Sequence, residues 1–152
     1  MRTRTDDFCG KADTQTVIPA RSGHHRRGAW LHFLLHNWDW IPERRRGDLA
    51  AAIGDAFDGF SDWMGAFVAG EILGEKCADA FAAKRLRELA RTARLPAREL
   101  VPHGLEYLAR ATRDEDLKKQ AIDTLRLMLR DANERCRGEA LLSLKKLGLN
   151  RE

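Results

Sequence analysis

The chain has 152 residues, of which 33% are charged and 7% aromatic, and its formal net charge is +4. That length suits one domain burying about two-thirds of its unfolded surface, and abundant Ala, Leu, Arg and Glu with little Val or Ile point to an all-α class rather than sheet. No apolar run reaches the roughly 20 residues needed to cross a bilayer, the opening Met1–Asp7 lacks a secretory core, and three scattered Cys with no CxxC predict reduced structural thiols in a cytoplasmic protein.

Residues 1–28 are rich in Arg, Thr, Gly and Asp and poor in large apolar groups. They read as a disordered basic arm in which His24, His25, Arg26 and Arg27 suit phosphates or an acidic surface. A single all-α domain is expected over 29–150. Trp30, Leu34, Trp38 and Ile41 recur at i, i+4, i+8 and i+11, which predicts a short helix with a wide apolar face. Three of the four Trp (Trp30, Trp38 and Trp40) fall within this stretch. Such a cluster serves either the core or a docking surface. His32 and His36, four apart, share a helix face but have no third metal ligand at a telling distance, and no HExxH is present. No metal or other cofactor is predicted.

Pro42 suits the start of the next helix. Arg44, Arg45 and Arg46 follow it, where the helix dipole disfavours cations, so an anionic partner or internal pairing is expected for them. Ile53, Phe57, Phe60, Met64 and Phe67 then form an apolar stripe with Asp48, Asp55, Asp58 and Asp62 on the opposite face. The Asp spacing does not match an EF-hand loop. Gly54, Gly59, Gly65, Gly70 and Gly74 predict close helix contacts or a break, the latter near Gly59 with Ser61 capping a second helix.

Charge is blocked along the chain. Residues 48–75 carry six acids and no cation, whereas residues 76–98 carry seven cations and two acids. Lys84, Arg87, Arg91 and Arg94 follow at +3, +4 and +3 to form a basic ridge, with Arg98 beyond Pro96. This ridge suits either phosphates or the acidic stretch 48–62.

The C-terminal half states one pattern twice, at an offset of 19 residues. Asp114, Leu117, Lys118, Ala121, Leu125 and Met128 are matched by Asn133, Cys136, Arg137, Ala140, Leu144 and Leu147. Asp114 and Asn133 stand where N-caps belong, and the Ala, Leu and Met or Leu positions share one helix face. The same template places earlier registers at Ala82 and Val101, so two helices repeat with a period of 39 residues. Gly148 suits a helix C-cap.

The segment Glu99-Leu100-Val101-Pro102 through Leu105 and Leu108, then Asp114 and Leu117-Lys118 to Ala121, resembles a HEAT repeat. Cys136-Arg137 to Ala140 and Leu144 resembles the start of a further helix of that kind, and the resemblance spans about residues 76–148. It implies a short right-handed array of antiparallel helix pairs, an α-solenoid. With no Gly-rich phosphate loop, no nucleophile beside a base and no local acid pair, the expected function is a non-catalytic adaptor or scaffold that binds another protein. The alternative is nucleic-acid binding through the ridge and the Arg-rich N-terminal segment. No membrane association is expected.

Overall fold

Every regular element among the described residues, 24–60 and 62–149 of a computed structural model, is helical. Helix α1 (His24–His36) leads through a 3-10 turn at Trp38–Trp40 into α2 (Glu43–Ala56), and a second 3-10 turn at Phe57–Gly59 precedes α3 (Trp63–Glu71). Helix α3 continues as a π-helical segment, Ile72–Cys77, before α4 (Ala80–Thr92), α5 (Ala97–Ala111), α6 (Glu115–Met128) and α7 (Glu134–Lys146). The all-α class expected from composition is what the chain adopts.

Short polar side chains start four of the helices. The Asp62 carboxylate accepts from the Gly65 amide at 2.7 Å and that of Asp79 from Ala82 at 2.8 Å. Asp114 accepts from Asp116 and Leu117, and the Asn133 side-chain oxygen from Cys136 at 3.0 Å. Each bond satisfies an amide that has no partner within its own helix. At the far end, Gly148 adopts φ 75°, so that its amide and that of Leu149 return to the carbonyls of Lys145 and Leu144.

Helix α5 is the hub. It touches α3, the π-helical segment, α4, α6 and α7, and α1 in turn lies on α3. Contacts therefore run between consecutive helices (α4 with α5, α5 with α6, α6 with α7) and between alternate ones (α3 with α5, α5 with α7, α4 with α6). The four repeated positions, Ala82, Val101, Ala121 and Ala140, are all buried, and Leu86, Leu105, Leu125 and Leu144 are buried beside them. Small residues let α3 approach α5 closely. A Cβ added to Gly70 would stand 3.4 Å from the Gly104 amide nitrogen, and one on Gly74 would stand 2.2 Å from the Gly104 carbonyl oxygen. The π-helical segment ends at Ala78, a non-glycine residue at φ 47°.

Four expectations need correction. Helix α1 begins at His24, inside the stretch read as an arm of residues 1–28; residues 1–23 lie outside the described residues. Of the predicted line, Trp38 is buried and Leu34 and Ile41 pack partly buried against the core, but Trp30 is exposed and Leu31 and Leu35 are the buried residues of α1. The break falls at Phe57–Gly59 as expected, but Asp62 caps α3; Ser61 lies outside the described residues. Because that turn resets the helical phase, Met64 leaves the stripe of Ile53, Phe57 and Phe60 and is exposed, while α3 buries Ala66, Val68 and Ala69 instead.

Candidate functional site

Two surfaces carry the side chains singled out in the sequence. The first is aromatic, its members spread over α1, the turn Trp38–Trp40 and α3. Trp30 is 54% exposed, Phe33 57%, Trp40 87% and Trp63 59%, whereas Trp38 is 3% exposed. Trp38 is therefore a core residue and leaves the set of docking candidates. Trp30 and Phe33 meet edge to face at 5.9 Å, and Trp63 meets Phe67 in the same way at 6.4 Å. Trp63 was not among the expected site residues. It sits one residue after the α3 cap, and the signal that marks it is its place in the first turn of a helix, before the buried face begins.

From Phe67 the row continues across α5. Its ring lies 5.0 Å from that of His103 and 6.3 Å from that of Tyr107. His103 Nε2 is 3.0 Å from Glu139 Oε2 on α7. Buried Glu106 receives Arg110 at 2.9 Å and Lys146 of α7 at 3.6 Å. These polar groups act as ties between α5 and α7, since a carboxylate withdrawn from water needs cations or donors beside it. Burial, reinforced by neighbouring Glu75, raises the Glu71 carboxyl above its ordinary range, and burial raises the Tyr107 phenol. His32 and His36 stack with ring centres 6.3 Å apart, and no third His, Cys, Asp or Glu joins them in a metal-holding group among the described residues.

The second surface is basic. Lys84, Arg87 and Arg91 on α4 and Arg94 just beyond it are exposed, and none of their side chains makes an ion pair among the described residues. The acidic helix is engaged by a different cation. Arg85 donates to the Gly54 carbonyl at 3.0 Å, reaches Asp55 at 3.2 Å and meets Glu88 at 3.4 Å. Asp58 accepts from the backbone amide of Arg94 and not from its guanidinium. A shallow hollow lined by Ala51, Asp55, Phe81, Lys84, Arg85 and Glu88 separates α2 from α4. Arg85 escaped the sequence argument because it stands one residue off the line of the ridge, on the flank facing α2.

The remaining candidates divide. Arg46 folds back to donate to the carbonyls of Ile41 at 2.9 Å and Asp39 at 3.1 Å, so its place in the first turn of α2 serves the preceding turn. Arg44 and Arg45 are exposed. Arg26 and Arg27 lie within α1, and their side chains are outside the described residues. Arg137, the cation of the repeated template, donates to the carbonyls of Asp131 and Ala132 and so braces the loop before its own helix. Arg98 reaches Asp131 at 3.3 Å, linking the start of α5 to that same loop. Cys77 and Cys136 are unpaired thiols; burial pushes Cys77 up to about 12 and raises Cys136, which keeps both protonated at neutral pH. Cys9 lies outside the described residues.

No protein-family model, curated protein or solved structure matches this chain. The two surfaces therefore rest on their own geometry. No helix among the described residues is long and apolar enough to cross a membrane.

Proposed function

We propose that the chain is a non-catalytic protein-binding module, a short HEAT-like solenoid of stacked helix pairs that docks another protein on its aromatic surface. The observation carrying this reading is that Trp30, Phe33, Trp40 and Trp63 are each more than half exposed in a chain with few aromatics. Large aromatics left in water cost free energy that a partner recovers by covering them, and such residues dominate binding energy where two proteins meet. The solenoid reading is supported by burial of the repeated Ala82, Val101, Ala121 and Ala140, and by contacts between alternate helices. The occupant we assign is an apolar face of a partner chain, since the exposed groups are uncharged.

The test is affinity capture from the native host with the wild-type chain beside a Trp30→Ala/Trp63→Ala variant. The reading requires a protein that is lost with the variant and rebinds the purified wild-type chain. A capture pattern identical for both forms would contradict it. A concentration-dependent dimer abolished by the same pair would place a second copy of this chain on the surface instead.

A further inference from the structure

We propose that the exposed faces of α4 and α6 form a separate binding surface for the phosphate backbone of nucleic acid. The ridge Lys84–Arg87–Arg91–Arg94 is exposed, while Arg85 beside it is the cation that reaches the Gly54 carbonyl, Asp55 and Glu88. Helix α6 adds to the ridge. Arg126 and Arg130 stand 39 residues after Arg87 and Arg91, the same interval that separates buried Ala82 from buried Ala121. Arg126 on α6 thus holds the position that Arg87 holds on α4, Arg130 follows two residues beyond the end of α6, and α4 and α6 touch. Arg126 and Arg130 are exposed, and Arg126 lies 3.5 Å from Asp123 in a pair open to water.

The pattern favours phosphate over protein carboxylates. From Lys84 to Arg91 the cations run about 10 Å along one helix, at 1.5 Å of rise per residue. A nucleic-acid strand offers an anion about every 3.4 Å of its axis and meets all of them together. Guanidinium forks also match phosphate oxygens two at a time, and five of the six cations are Arg. Contacts of this kind follow the backbone and are indifferent to base sequence.

The experiment is fluorescence anisotropy of a labelled 20-base-pair duplex titrated with the full chain at about 50 and 200 mM salt. Four to six phosphate contacts predict affinity falling by about a hundredfold to a thousandfold between the two conditions, equally for two unrelated sequences. Arg87→Gln/Arg91→Gln should weaken binding and lower the salt slope by about 2, with circular dichroism unchanged. Arg126→Gln/Arg130→Gln should do the same from α6 and the turn that follows it. No binding at 50 mM salt would overturn the proposal. So would binding that neither pair of substitutions reduces, or polyglutamate binding where the duplex does not.

Discussion

Gly74 and Gly104 meet backbone to backbone: a methyl group on Gly74 would fall 2.2 Å from the Gly104 carbonyl oxygen, 2.9 Å from the Leu108 amide nitrogen and 2.9 Å from the Tyr107 Cβ. This contact lets the π-helical segment after α3 lie directly on α5, the helix that most of the others touch. Because two of the three obstructing atoms belong to the main chain, no rotamer change can make room. Gly74→Ala should therefore destabilise by about 1–3 kcal/mol through overpacking. Gly138→Ala in α7, where nothing lies within 4 Å, should stabilise by about 0.5–1 kcal/mol through helix propensity. Urea unfolding of both variants measures the contrast.

Three of the four tryptophans should separate in the same assay. Trp38→Ala removes a side chain only 3% exposed and should cost about 3–5 kcal/mol, as truncation of a buried aromatic does. Trp30→Ala and Trp63→Ala, each more than half exposed, should stay within about 1 kcal/mol of the wild type. Equal losses at all three positions would show that Trp30 and Trp63 are held in the interior.

What the sequence made legible was local or periodic. Asp114 and Asn133 cap their helices because a cap depends on three or four adjacent residues. Ala82, Ala121 and Ala140 are buried because helical spacing determines the face they share. The phase of α3 was not legible, since one 3-10 turn at Phe57–Gly59 rotates all that follows and exposes Met64. Nor was the choice among neighbouring cations. Arg85 and Arg87 read alike in a charge count, yet Arg85 lies 30 residues from Asp55 in sequence and 3.2 Å from it in space. Trp38 and Trp40 likewise differ by two residues and end on opposite sides of the protein surface.

Glu71 gives stability a pH dependence of known sign. Burial first, and then the charge of Glu75, disfavour its ionised form, so its folded carboxyl titrates above the ordinary 4.5. Its protonated form therefore supports folding fully below pH 4.5, and that support is lost as pH rises through the raised value. Glu71→Gln should melt higher than the wild type at pH 7, and the two melting curves should converge as pH falls below 4.5. A difference independent of pH would assign the effect to something other than ionisation.

Among the described residues Arg85 is the one α4 cation engaged within the fold, while Arg87 and Arg91 are exposed and form no ion pair. Thermal unfolding of Arg85→Ala beside Arg87→Ala/Arg91→Ala measures this division. Loss of the bonds from Arg85 to the Gly54 carbonyl and the Asp55 carboxylate should cost about 1 kcal/mol, discounted for the exposure of Asp55. The double variant should remain within about 0.5 kcal/mol of the wild type. A double variant destabilised as much as Arg85→Ala would contradict the account, because the ridge would then be part of what holds the helices together.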